Sequence, residues 1–154
     1  MTRRLVLLGF TVGLLIAALS GRVLAQEEAD WLIPEWVVKL PPAPTTRAAP
    51  EPPQGGPIIQ VKSPPLDGEV VRPFTVEIVF EPRPGGAPVQ MESLEVKALK
   101  LWEISITDKF RPHIREDRIF VKDAKFPSGR HRLKVSIADT EGNMTVQIFE
   151  VTVR

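Results

Sequence analysis

The chain has 154 residues, with 20 basic and 19 acidic side chains and no cysteine. The absence of cysteine excludes disulfides and thiolate metal sites, so the fold must depend on an ordinary apolar core. Charges of both signs in near balance do not give the dense positive field that binds nucleic-acid phosphates, so no nucleic-acid partner is expected.

The first 25 residues have the three-part pattern of a secretory signal peptide. Arg3 and Arg4 form a short basic start, an apolar run covers residues 5–19, and a short stretch ending in Ala25 precedes the predicted cleavage point. The run is shorter than the roughly 20 apolar residues that a membrane span needs, so cleavage is favoured over a membrane anchor. The pattern predicts export to the periplasm or the exterior, and the very apolar run favours the general secretion route over the twin-arginine route.

Cleavage after Ala25 would change the charge of the chain. Arg3, Arg4 and Arg22 would leave while no acid does, so the remaining chain carries 17 basic and 19 acidic residues. No cysteine is present to carry a bacterial lipid anchor. We therefore expect a near-neutral mature chain without an integral membrane span.

Residues 26–57 are rich in proline: eight lie in this range, and ten lie between Pro34 and Pro65. Proline supplies no backbone donor for a helix or a sheet, and most of this segment has little apolar surface to bury. The composition predicts a disordered, extended tether. A spacer is favoured over a specific ligand for a proline-recognising module.

An apolar patch at residues 31–40, which we name the arm, interrupts the predicted tether. It holds two of the three tryptophans of the chain. Its apolar side chains are Trp31, Leu32, Ile33, Trp36, Val37, Val38 and Leu40. Apolar surface of this extent is normally buried against another surface, which leaves two alternatives open. Either the arm packs on the following domain, or it is a short motif that binds another protein. These seven residues are the candidate partner-binding site.

From Ile58 onward the apolar residues recur with a period of two, which predicts β-strands. The predicted strands cover residues 58–62, 73–80, 93–99, 102–106, 118–126, 131–138 and 146–154. The side chains predicted to share inward faces are Phe74, Val76, Ile78 and Phe80; Leu94, Val96 and Ala98; Trp102, Ile104 and Ile106; Ile119 and Val121; Leu133, Val135 and Ile137; and Phe149, Val151 and Val153. Stretches rich in glycine and proline separate the strands, as expected of turns.

The third predicted strand also fits a helix. Met91, Leu94, Ala98, Leu101 and Trp102 would lie near one side of such a helix. The clean alternation at its centre and the strands on both sides of it favour a strand.

Seven short strands between residues 58 and 154 are the number expected of an antiparallel sandwich. Two stretches, SPPLDGEVVRPFTVEIVF and PSGRHRLKVSIADTEGNMTVQIFEVTV, resemble the immunoglobulin-like and cadherin-like domains of exported bacterial proteins. The resemblance implies an all-β, immunoglobulin-like sandwich over residues 58–154. It also implies a module for adhesion, docking or spacing, and it names no ligand.

The stretch DTEGN, between the last two predicted strands, has some likeness to a Ca²⁺ loop. A hairpin turn accounts for the same residues, because Asp139 can accept a bond from the backbone two residues on and Gly142 and Asn143 tolerate positive φ. A Ca²⁺ loop needs more oxygen ligands in a fixed pattern. Asp139, Gly142 and Asn143 are therefore interpreted as a structural turn, and no metal is expected there.

The sequence offers little that suggests catalysis. His113 and His131 are the only histidines, their spacing matches no metal site, and no Gly-x-Ser-x-Gly motif is present. We therefore expect neither catalytic residues nor a cofactor, and the chain is predicted not to be an enzyme.

Two binding functions remain. The favoured one is a non-catalytic exported module that docks to another envelope or secreted protein through the arm or through a sheet edge. The alternative is a carbohydrate-binding sandwich, for which Trp102 is the one tryptophan in the predicted folded region.

Overall fold

A computed structural model describes residues 31–43 and 53–154. The predicted signal peptide lies outside these residues, as do residues 26–30 and 44–52 of the predicted tether. The helices in the described ranges are short: α1 (Glu35–Val38), α2 (Thr107–Phe110) and a 3₁₀ turn (Arg111–His113). Crossing a bilayer takes about 20 residues, and no helix in the described ranges approaches that length.

In the part of the chain that the structure describes, nine strands form two facing sheets, which confirms the predicted all-β sandwich. The strands are β1 (Ile58–Ser63), β2 (Glu69–Val70), β3 (Phe74–Glu81), β4 (Val89–Leu99), β5 (Glu103–Ser105), β6 (Ile114–Arg115), β7 (Arg118–Ala124), β8 (Gly129–Asp139) and β9 (Met144–Val153). One sheet has the order β1-β3-β7-β6 and the other the order β2-β9-β8-β4-β5. Neighbouring strands are antiparallel except for β2 and β9, which are parallel. The two strands that the periodicity does not predict, β2 and β6, have two residues each.

The stretch that also fitted a helix is a strand. β4 pairs with β8 in a register that places Glu95 opposite Ser136 and Ala98 opposite Leu133. The register shifts near Ser93, whose hydroxyl accepts a bond from the Ala138 amide at 2.8 Å and so replaces a backbone partner. β4 pairs with β5 on one side and with β8 on the other. This pairing outweighs the local preference for a helix.

The inner faces of the two sheets supply one apolar core. Most of the predicted inward side chains are buried, because alternation places every second residue on the same face of a strand. Trp102 is an exception. β5 begins at Glu103, so Trp102 lies in the preceding turn with 54 % of its surface exposed, whereas Ile104 and Ile106 are buried.

The end of the predicted tether joins the five-stranded sheet. The Gly56 amide donates to the Met144 carbonyl at 3.1 Å, and the Val146 amide donates to the Pro53 carbonyl at 2.8 Å. This segment therefore runs along the first residues of β9. The two chains approach so closely that a Cβ atom on Gly56 would lie 2.3 Å from the Asn143 carbonyl oxygen. Only glycine fits there without a shift of the backbone.

Candidate functional site

The arm lies against one end of the sandwich. Leu32, Ile33 and Val37 are buried and belong to the main apolar core, with exposures of 3 %, 1 % and 0 %. Val38 and Leu40 are partly buried beside them. Of the two alternatives left open by the sequence, the structure shows packing on the arm's own domain for these five side chains.

Two backbone hydrogen bonds fix the ends of the arm. The Leu32 amide donates to the Lys125 carbonyl at 3.2 Å, in the link between β7 and β8. At the other end, the Leu101 amide donates to the carbonyl of Pro41, directly after the arm, at 2.9 Å. Lys125 follows a strand of the four-stranded sheet and Leu101 lies between two strands of the other sheet. The arm therefore bridges the two sheets.

Local sequence explains how the arm turns between these attachments. Pro34 is the N-cap residue of α1 and has a φ of −59°, close to the value that its ring imposes. Its carbonyl accepts a bond from the Val37 amide at 3.0 Å. The single helical turn directs Val37 into the core and leaves Trp36 on the solvent side, because consecutive helical residues point in different directions.

The exposed apolar side chains of this region belong to the arm and to the turn that its end contacts. Trp36 is 57 % exposed, and Leu101 and Trp102 are each 54 % exposed. We name these three residues the arm-turn patch. The apolar composition of residues 31–40 points to Trp36 as a candidate, whereas periodicity assigns Leu101 and Trp102 to helix or strand faces, and Trp102 is a candidate only for carbohydrate binding. A Leu-Trp pair in the segment between two strands is the sequence signal that could have identified Leu101 and Trp102 as exposed.

Trp31 has a different environment from Trp36. It is half-buried, and the guanidinium carbon of Arg72 lies 5.6 Å from the centre of its ring. Arg72 Nη1 also donates to the Phe126 carbonyl at 3.3 Å. Arg72 therefore connects the start of the arm to the link between β7 and β8, and Trp31 contributes to holding the arm.

A cleft of about 400 Å³ opens beside Trp31, between the start of the arm, α2 and β7. Its charged walls include Lys122, Lys125, Asp108 and Asp123. Asp108 is already paired with Arg111 at 2.9 Å. Basic and acidic side chains, Lys109 among them, both line the cleft, so its walls do not carry charge of a single sign.

The residues interpreted as a structural turn form the hairpin between β8 and β9. Asp139 accepts bonds from the amides of Glu141 and Asn143 at 3.0 and 2.9 Å and from the Asn143 side chain at 2.9 Å. Gly142 donates to the Asp139 carbonyl at 3.0 Å and has a φ of +85°, which favours glycine. The bond from the Asn143 side chain is the largest cause that lowers the pKa of Asp139. Within residues 31–43 and 53–154, no three histidine, aspartate or glutamate side chains cluster as metal ligands would.

No protein-family model, curated protein or solved structure matches the chain. Its function therefore has to be inferred from the side chains themselves.

Proposed function

We propose that the chain is an exported, non-catalytic module of immunoglobulin-like type that docks to another envelope or secreted protein through the arm-turn patch. The observation that carries this proposal is the contrast within α1. Val37 is 0 % exposed while the adjacent Trp36 is 57 % exposed. The arm therefore presents an aromatic side chain to solvent from a backbone that the core holds in place.

Such an arrangement favours binding. Ile33 and Val37 fix the backbone on both sides of Trp36, so a partner does not have to order the arm when it binds. Tryptophan is also the side chain most enriched among residues that dominate interface energies. Leu101 and Trp102 add apolar surface on the turn that the end of the arm contacts.

The pattern of residues 1–25 supports export, and export determines which proteins the patch could meet. The resemblance of residues 63–80 and 127–153 to immunoglobulin-like and cadherin-like domains supports a docking or spacing role. Neither feature requires a cofactor, so binding would depend on contact between protein surfaces.

The experiment starts from the mature chain with a photo-crosslinking amino acid at position 36. Irradiation in an envelope fraction, followed by mass spectrometry, identifies the protein that contacts this position. The partner is then purified, and its affinity is measured for the parent chain, Trp36→Ala and Trp102→Ala. We expect Trp36→Ala to weaken binding by about tenfold or more, which corresponds to at least about 1.4 kcal/mol.

Ile148→Ala and Phe120→Ala are the matched controls. Both replace apolar side chains that are exposed to a similar degree, 45 % and 43 %, and lie on β9 and β7 rather than on the arm or on the turn that its end contacts. They should leave the affinity unchanged. Equal losses for controls and patch variants, or full binding by the double variant of Trp36 and Trp102, would exclude the patch as the docking surface.

The exposure of Trp102 supports carbohydrate binding as a second candidate function. An indole ring that is 54 % exposed in a turn can stack on a sugar ring. Saturable binding on a glycan array that Trp102→Ala abolishes and Trp36→Ala leaves intact would favour this alternative over protein docking.

A further inference from the structure

β1 forms the longest open edge among the ends of the two sheets. It has six residues and stands first in the order β1-β3-β7-β6, so no strand of the described residues pairs with its outer side. The other three sheet ends are β6, β2 and β5, with two, two and three residues. End strands that short offer little backbone to another chain. β1 is therefore the sheet end at which another strand could pair.

Backbone hydrogen bonds in β3 show which groups of β1 face inward. The Phe80 amide donates to the carbonyl of Asp117, directly opposite it, at 2.8 Å, so the backbone groups of Phe80 point towards β7. Backbone groups alternate in direction along a strand, so those of Val79 point the other way, towards Gln60 of β1. The Gln60 amide and carbonyl are therefore used within the sheet.

The same alternation identifies the groups on the open side of β1. The backbone groups of Ile59 and Val61, on either side of Gln60, point outward and provide two donors and two acceptors. The regular edge is short, because Pro57 precedes it and the register with β3 shifts directly after Val61. Pro57 and Pro64 supply no amide hydrogen to extend it.

A second copy of β1 fits this edge in an antiparallel, two-fold register. In that register Ile59 of one copy lies opposite Val61 of the other, and each such pair exchanges two hydrogen bonds. The symmetry axis passes between the two copies of Gln60. Both donors and both acceptors of each edge are then used. Because the same surface serves both copies, pairing ends at a dimer and does not continue into a filament.

The inward side chains of β1 suit this register. Ile59 is 7 % exposed, and Val61 is partly buried against the core. Pairing places Ile59 of one copy beside Val61 of the other, as apolar neighbours across the new strand pair. The apolar inner face of the sheet would therefore continue from one copy into the next.

The outward side chains of β1 are complementary in charge to a second copy. Lys62 Nζ donates to the Gln60 side chain at 2.6 Å, and Gln60 Nε2 donates to Glu81 at 2.9 Å. The two-fold register places Lys62 of one copy next to Ile58 of the other, and Ile58 is paired with Glu81. Opposite charges from the two copies then lie on either side of Ile58. A lysine on an edge strand ordinarily opposes a further strand, but a second copy brings an acid to it.

We infer that β1 is a self-association surface, through which two copies of the chain pair into a dimer. The two four-stranded sheets would join into one sheet of eight strands. Such a dimer carries two arm-turn patches, so a partner with repeated sites would bind it with avidity. The inference concerns the chain alone and does not depend on the proposed partner.

Two measurements on the mature chain test the dimer and its location. Sedimentation equilibrium should show a monomer–dimer equilibrium, with the dimer populated at concentrations of about 0.1 to 1 mM. Hydrogen exchange followed by NMR then locates the contact. Protection of the Ile59 and Val61 amides should fall about tenfold or more on dilution to the monomer, while protection of the Gln60 amide, which faces β3, should stay constant.

Charged side chains at the symmetry axis test the register. Gln60→Glu and Gln60→Lys each bring like charges together, so each should weaken association by about tenfold or more, whereas an equimolar mixture of the two should restore it. Recovery in the mixture also shows that both variants are folded. Gln90→Glu and Gln90→Lys are the matched controls, because they make the same changes at an exposed position on β4. They should associate like the parent.

A cysteine variant tests the same register if the charge variants do not fold. The chain has no cysteine, so Gln60→Cys can form a disulfide only between copies. Directly opposite residues that exchange no hydrogen bonds lie close enough for such a bond. Gln60→Cys should therefore crosslink faster than Gln90→Cys at equal concentration.

Four results would overturn the inference. They are a parent chain that stays monomeric up to about 1 mM, a dimer that leaves Ile59 and Val61 unprotected, folded Gln60 variants that associate like the parent, and equal crosslinking of the two cysteine variants. Protection of these amides only after another envelope protein is added would assign β1 to a foreign strand instead.

Discussion

The guanidinium of Arg72 lies over the ring of Trp31, with 5.6 Å between the guanidinium carbon and the ring centre. Arg72 and Trp31 lie far apart in the sequence. Their contact therefore joins the arm to the segment just before β3. It also distinguishes the two tryptophans of the arm. Trp31 stabilises the folded chain, whereas Trp36 remains exposed.

Replacing each tryptophan in turn separates these roles. Trp31→Ala should lower the free energy of unfolding by about 1 to 3 kcal/mol, because it removes half-buried aromatic surface and the contact with Arg72. Trp36→Ala should change it by less than about 0.5 kcal/mol. Urea unfolding measures both values. Equal losses for the two variants would contradict the assignment.

A pair of isoleucines tests the burial of the arm. Ile33→Ala should destabilise the protein by about 2 to 5 kcal/mol, since it removes core atoms and leaves a cavity. Ile148→Ala makes the same chemical change at a side chain that is 45 % exposed, and it should cost less than about 0.5 kcal/mol. A small effect of Ile33→Ala would show that the arm adds little to the core in solution.

Adjacent glycines provide a test of the contact between the proline-rich segment and β9. Gly56→Ala should destabilise by about 1 to 3 kcal/mol, because its Cβ would meet the backbone of Asn143. Gly55→Ala is the control, since a Cβ there has nothing within 4 Å. Thermal unfolding of the two variants distinguishes them. A normal melting temperature for Gly56→Ala would mean that this segment can leave β9 at little cost.

The Asp139 turn should make stability depend on acid pH. Hydrogen bonds to the carboxylate, first of all from Asn143, hold the pKa of Asp139 below its ordinary value. This contribution is therefore present above that ordinary value and is lost as the pH falls through the folded-state pKa. Asp139→Asn should flatten the fall in melting temperature below about pH 4.5, and an unchanged fall in the variant would contradict this assignment.

The same turn should not respond to calcium. Both carboxylate oxygens of Asp139 already accept bonds from amide groups of the hairpin. A cation would have to displace those donors and recruit further oxygen ligands. Adding Ca²⁺ or EDTA should leave the melting temperature unchanged. A Ca²⁺-dependent rise of several degrees that Asp139→Ala abolishes would identify a metal site.

Sequence periodicity predicted most of the sandwich because half-buried strands repeat every second residue. Leu133, Val135 and Ile137 show this well, since all three are buried in β8. The exposed position of Trp102 could not be predicted in this way. Its place depends on where β5 starts, and pairing with β4 sets that start.

The arm shows what composition predicts and what it leaves open. A cluster with two tryptophans indicated an apolar surface in need of a cover, but it did not reveal which side chains would face the core. That division depends on the single turn of α1 and on the two backbone attachments, at Lys125 and Leu101. Both attachments join residues far apart in the chain, so no local sequence pattern predicts them. The predicted division of the chain at residue 57 stays a prediction.

The strand-like path of residues 53–56 has a consequence for self-association. Together with β2, it covers the two ends of the outer side of β9, and at the first end the Met144 carbonyl and the Val146 amide would otherwise be open to another chain. Pro53 and Pro57 have no amide hydrogen, so this segment offers few donors to a further strand. The proline-rich sequence thus disfavours the addition of a further strand at the first residues of β9. A chain that begins at residue 58 would leave the first residues of β9 open to edge-to-edge aggregation between copies.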